Sequence, residues 1–306
     1  VSVGSQVMHM LTVMLVGLAM GATVSIAQAT GGGDKKRTAS AIGNTVTLFM
    51  LLSLALTALL LALRGGIVSI MSTPEEAVQG TLAYLTVCFI GIPFITVYNI
   101  IASIFRGLGD SKSPMYFIAV ACVVNIALDL LFVGVFHMGV GSAAAATAIS
   151  QLVSMSLCMI RLMRSDRAYR VNLRKIRFDG RALREILQNG LPAGLQNSII
   201  SIANVVVQSN INQFGAAAMA GCGAHSRIEG FGFLPVTCFT MALTTFVSQN
   251  LGAKAYGRVK KGIRVGIFCS VTIAETIALL IFIFSPKLIG LFTSDAQSIP
   301  FGVMHE

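Results

Sequence analysis

The sequence predicts an all-α polytopic membrane protein: a bundle of about eight transmembrane helices built on a two-lobe, parallel-repeat plan. Three observations carry this. Hydrophobic residues make up 55% of the chain and charged residues only 11%, far from the balance of a soluble domain. Charge-free runs of bilayer-spanning length recur along it. The cations also fall almost entirely on one alternating set of loops.

The charge-free runs are 1–33, 41–63, 82–105, 138–160, 191–224 and 231–253, and the stretches 113–136 and 265–286 each carry a single acid. Of the 22 Lys and Arg residues, most group as Lys35, Lys36 and Arg37, as Arg106 and Lys112, as a dense run from Arg161 to Arg184, and from Lys254 to Arg264. The intervening loops hold only Arg64, Arg227 and Lys287. The positive-inside rule therefore makes 31–40, 106–113, 161–190 and 250–264 cytoplasmic and puts Val1 on the outer side. A net charge of +10 could suggest nucleic acid as a partner, but cations confined to loops between spans point to the bilayer instead. The small-residue pattern SIAQA resembles a signal-peptidase site. No basic region precedes it and a basic loop follows, so the first run reads as a membrane helix. The opening Val, in place of Met, suggests an N-terminus cut short.

Several features invite functional readings that their context turns down. The six cysteines lie inside apolar runs without metal or redox spacing, and the four histidines are scattered. GGGDKKR lacks the spacing and the preceding strand of a phosphate loop and reads as a tight turn. No nucleophile–base pair or metal cluster suggests an enzyme. Gly17 and Gly21 form a GxxxG that permits close helix contact. Pro93 and Pro235 lie within spans, where a kink frees backbone groups. Residues 161–190 are a basic linker with an amphipathic tail suited to an anionic lipid surface.

The chemistry concentrates on Asn125 and Asp129. A carboxylate in the middle of a 24-residue apolar stretch (113–136) is costly unless it meets a cavity, a partner or a proton. Asn125, four positions earlier, projects from the same face. The bland reading is a polar pair that glues two helices; the functional one is an ion or proton site. The small-residue run MGVGSAAAATAISQ lets a neighbour approach closely and could bring Thr147 and Gln151 near Asp129. Asn204 and Gln208, within an amide-rich span, and Glu275 in the last span are candidate cavity-lining groups.

A shift of 221 positions lays SIAQATGGGDKKR on FVSQNLGAKAYGR, with Gln28 on Gln249, Gly31 on Gly252 and Arg37 on Arg258. Both copies have the same topology, so the repeat is parallel. It leaves one helix unaccounted for ahead of the chain and about three beyond it. The expected parent has two six-helix lobes, here truncated at both ends: 1–162 is the first lobe, 163–190 the linker and 191–306 part of the second.

FRGLGDSKSPMYF, NIALDLLF and MGVGSAAAATAISQ, with LPAGLQN and RIEGFGFLPVTCFTMALTTFVSQNLGAKA, resemble the multidrug and toxic compound extrusion (MATE) transporters of prokaryotes, over family helices two to nine. The resemblance implies a monomeric, cation-coupled antiporter of the bacterial inner membrane. Two lobes rock around a central cavity and export small amphipathic, often cationic, drugs. No cofactor is implied, only a proton or sodium as coupling ion. It also implies that Asn125, Asp129 and Thr147 form the coupling site, with Asp129 the only expected contact to a metal ion, Na+. The family's first-helix Asp has no counterpart in this sequence, and the equivalent position in the second lobe is the uncharged Gln208. A flippase for lipid-linked precursors is the alternative within the same superfamily. It would require a cationic cavity, whereas these spans hold acids and amides.

Overall fold

A computed structural model describes residues 2–70, 75–136, 141–164, 179–211 and 216–292. These residues form eight α-helices. They are α1 (Ser2–Gly31), α2 (Lys35–Ile70), α3 (Glu75–Leu108), α4 (Lys112–Asp129), α5 (Gly141–Arg164), α6 (Gly180–Ile211), α7 (Ala216–Gly252) and α8 (Tyr256–Phe292). A π-helical stretch, Leu130–Val135, extends α4. Helices are the expected outcome for runs this apolar, because a helix satisfies its own backbone groups without water. Hydroxyls follow the same logic: the buried Thr45 Oγ1 donates to the Ala41 carbonyl at 2.7 Å, and the half-buried Thr86 Oγ1 donates to that of Leu82 at 2.7 Å while accepting from Arg64.

Six helices contain stretches long and apolar enough to cross a membrane: Thr12–Gly31, Lys35–Gly66, Leu85–Leu108, Lys112–Val135, Ala145–Leu162 and Tyr256–Phe284. The turn around His137, most of the basic linker and the far ends of the repeat near Ser72 and Ser294 lie outside the described residues.

Two compact units divide the chain between Ser198 and Ile199. The point lies inside α6, which runs unbroken from Gly180 through Pro192 to Ile211. In the first unit α3 is central and packs against α1, α2 and α5, while α4 lies against α5. Ile26, Ile42, Phe49, Ile101, Ile104, Leu162 and Ile186 form its core, so the first turns of α6 are built into this unit. A smaller cluster joins Leu85, Phe89 and Ile92 to Leu56 and Leu60 of α2. The second unit contains the α7–α8 hairpin.

The repeat reappears in the backbone. After α1, the amides of Gly32, Gly33 and Asp34 donate to the carbonyls of Gln28, Thr30 and Ala29. After α7, those of Ala253, Lys254 and Ala255 donate to Gln249, Leu251 and Asn250. Each bond maps onto its partner by the same shift of 221 positions. So does the left-handed residue, Gly33 at φ 71° and Lys254 at φ 56°. Both turns are helix C-caps in which the last carbonyls are satisfied by the reversing chain. The α3–α4 turn uses the same device: Gly109, at φ 90°, donates to Arg106 and Asp110 to Phe105.

Candidate functional site: the polar face of α4

The start of α4 is fixed by Asp110. Its Oδ1 accepts from the amides of Lys112 at 3.1 Å and Ser113 at 3.0 Å, and its Oδ2 from the Ser113 hydroxyl at 2.6 Å. Partial burial pushes the Asp110 carboxyl up, but these donors outweigh it and hold it below the usual carboxylate range. The cap satisfies two of the orphan amides at the helix start, and Pro114 is buried in the first turn.

From that anchor the helix runs to Asn125 and Asp129, both half-buried and one turn apart. Asn125 Nδ2 and Asp129 Oδ1 are shielded from solvent, and neither has a hydrogen-bond partner among the described residues. An amide and a carboxylate in that condition each forgo a hydrogen bond, at about 1–3 kcal/mol or more when charged. Rotating the Asn amide exchanges its nitrogen and oxygen. The pair can therefore present one amide and one carboxylate oxygen to a hard cation, which prefers oxygen ligands. Immediately after Asp129 the α-helix gives way to the π-helical stretch Leu130–Val135, closed by the bond from the Phe136 amide to the Leu131 carbonyl at 3.0 Å. Such wider turns recur at functional sites.

Thr147 and Gln151 lie on α5, the helix packed against α4 and against its π-helical extension. Thr147 is exposed and Gln151 half-buried, and the Thr147 carbonyl accepts from the Ser150 hydroxyl at 2.8 Å. Asn204 and Glu275 belong to the second unit and are exposed there, on α6 and α8. Of Gln208 the structure describes the helical backbone alone.

The sequence reading missed how α6 is seated. The GxxxG of α1 meets a second one, Gly190 and Gly194, on α6: a Cβ on Gly17 would lie 2.8 Å from the Gly194 Cα, and one on Gly21 would strike the backbone of Ile186 and Gly190. At the same end Arg37 donates to both Glu185 carboxylate oxygens at 2.9 Å. The Ser40 hydroxyl donates to Asp179 at 3.0 Å, and the Asp179 amide donates to Asn44 Oδ1 at 3.0 Å. The spacing NGLPAG and the cap-like Asp179–Gly180 were legible signals; their partners were not.

Against known proteins, the family model described as MatE matches residues 1–131 and 192–304. The chain is 32% identical over 98% of its length to the probable multidrug resistance protein YpnP of Bacillus subtilis, covering 67% of that protein. It is 29% identical to the probable multidrug resistance protein YoeA of the same species, over 93% of the chain and 63% of YoeA. Among solved structures it is similar to an outward-facing multidrug resistance MATE family transporter, with TM-score 0.88 and 25% identity over 97% of this chain and 66% of that one. The chain thus spans about two-thirds of the length of the relatives it matches.

Proposed function

We propose a transport function on the premise that this chain belongs to the MatE family, whose members are transporters rather than enzymes. The full protein is read as a cation-coupled antiporter, driven by protons or sodium, that exports small amphipathic drugs across the bacterial cell membrane, with its basic loops in the cytoplasm. Residues 1–162 belong to the first lobe, 163–190 to the linker and 191–306 to the second. It acts as a monomer in lipid and uses no cofactor. The relatives named for multidrug resistance support the substrate class.

The observation that carries the coupling assignment is the unpartnered pair Asn125 and Asp129 on an apolar helix. A proton or sodium ion neutralises Asp129, with oxygens of Asn125 and Thr147 completing the shell. Neutralisation removes the penalty of closing apolar helices over a charge. The ion therefore favours one conformation over another, and the lobes respond by shifting population and lowering the affinity for a bound cationic drug. Gln151, Asn204, Gln208 and Glu275 are assigned to the cavity wall.

The test is Asp129→Asn in the full-length protein, reconstituted with an imposed proton or sodium gradient. The substitution should abolish gradient-driven drug efflux while leaving membrane insertion intact. Efflux equal to the parent's would overturn the assignment.

A further inference from the structure

α5 carries a second polar feature that the coupling site does not use. Ser142, Ala146, Ser150, Ser154 and Cys158 recur at every fourth position and all of them are buried, so they trace one slowly winding face of the helix. That face lies in the angle between α3 and α4, both packed against α5: Cys158 belongs to the same core cluster as Ile101 of α3 and Phe117 of α4. The Ser150 hydroxyl donates to the Thr147 carbonyl at 2.8 Å. Ser154 is different. It is 0% exposed, and its hydroxyl has no hydrogen-bond partner among the described residues. The same condition holds for Asn125 Nδ2 and Asp129 Oδ1, on the helix against which α5 packs.

Depth along the two helices is set at the end where they meet the α3–α4 turn. There the positive charge of Arg161, on α5, acts on Asp110 just before α4, and consecutive spans run antiparallel. Counted from that end at the rise of an α-helix, Ser154 lies about 10 Å in, Ser150 about 16 Å, Asn125 about 22 Å and Asp129 about 28 Å. Ser142 falls level with Asp129, 19 residues from Arg161 as Asp129 is from Asp110. The hydroxyls thus step from the carboxylate toward the end that the loop charges make cytoplasmic. We propose that this stripe is the route by which the coupling ion leaves Asp129 for the cytoplasm, with the Ser154 hydroxyl as an oxygen it meets on the way out. A proton carried by water and a small hard cation both need such oxygen partners. Small residues leave little bulk to displace when α4 and α5 part. The unpaired Ser154 hydroxyl forgoes a hydrogen bond in the closed seam and regains one when water or an ion enters, so opening is favoured at that point. An apolar stripe of the same width would pack equally well and offer no such partner.

This inference rests on the reading of Asp129 as the coupling acid, but ion access can be measured without transport, so the two fail separately. The experiment uses the full-length protein with its native cysteines replaced by alanine and Ser154→Cys as the single thiol. Silver ion, a small monovalent cation that binds thiols, is applied from the cytoplasmic side, and the denatured protein is then labelled with maleimide. Silver should prevent that labelling; a thiol that stays fully reactive would overturn the proposal. Ser154→Ala gives the second arm. It removes an unpaired hydroxyl, so the thermal unfolding midpoint should hold or rise, and KM for the drug should not change. The maximal rate of gradient-driven efflux should fall about tenfold, equivalent to one hydrogen bond lost from the barrier. Parental efflux or a lowered midpoint would also overturn the proposal, since the hydroxyl would then be idle or structural. If Asp129→Asn abolishes efflux and silver still fails to reach the thiol, the exit route alone falls. If Asp129→Asn transports normally, the coupling reading falls first.

Discussion

Lys254 sits in the left-handed region at φ 56°, where a side chain crowds the following carbonyl at a cost of about 1–2 kcal/mol. Its repeat counterpart, Gly33, avoids that cost. Lys254→Gly should therefore stabilise the α7–α8 turn by about 1 kcal/mol, read as a rise in the thermal unfolding midpoint of the purified protein. Asp110 works in the opposite direction. Asp110→Ala removes a helix cap and should destabilise the protein by about 1 kcal/mol. Because the folded carboxyl lies below its ordinary value, the contribution is full above about pH 4 and fades as pH falls through the depressed folded value. The parent and Asp110→Ala should thus converge in stability in acid and separate above it. At Asn125 and Asp129 the sequence disclosed the residue types and the shared face. The missing hydrogen-bond partners and the π-helical turn that follows depend on what packs around α4, which hydropathy does not encode.

Between elements, the crossing of α1 and α6 is set by glycines. A methyl group on Gly21 meets the backbone of Ile186 and Gly190, which cannot move aside as a flexible side chain could. Gly21→Ala should therefore loosen α6 and destabilise the protein by about 1–3 kcal/mol, as an overpacked site does, read as a lower unfolding midpoint. Gly65, at an exposed position of α2 with nothing near its Cβ position, is the control: Gly65→Ala should be neutral or stabilising. Opposite results at these two glycines would separate packing from helix propensity. The Arg37–Glu185 pair at the same crossing is about half and a third exposed. Breaking it with Arg37→Gln should cost at most about 1 kcal/mol, so the glycines and the buried Ile186 carry most of the docking. Gly17 and Gly21 were visible in the sequence as a motif, but a motif names one face only. The matching face on α6 had to come from the fold.

For the molecule as a whole, the loop charges give the topology its test. Asp34→Cys, Ser111→Cys and Tyr256→Cys lie in or beside the three short turns that share one C-cap geometry. All three should react with a membrane-impermeant maleimide from the cytoplasmic side only; labelling from outside would reverse the orientation. Spans and the repeat were readable from one dimension, and the loop charges supply an expected sidedness. Burying apolar length and keeping cations on one side are constraints each segment meets by itself, and the repeat is written in Gln28, Gly31 and Arg37 against Gln249, Gly252 and Arg258. Three-dimensional structure alone decided that α6 begins packed against α1 and α2, and that Asp179 and Glu185 help to fasten it there. Those outcomes depend on which faces come within a few ångströms of one another across 135 to 160 residues of chain, and a contact of that range leaves no local pattern for the sequence to show.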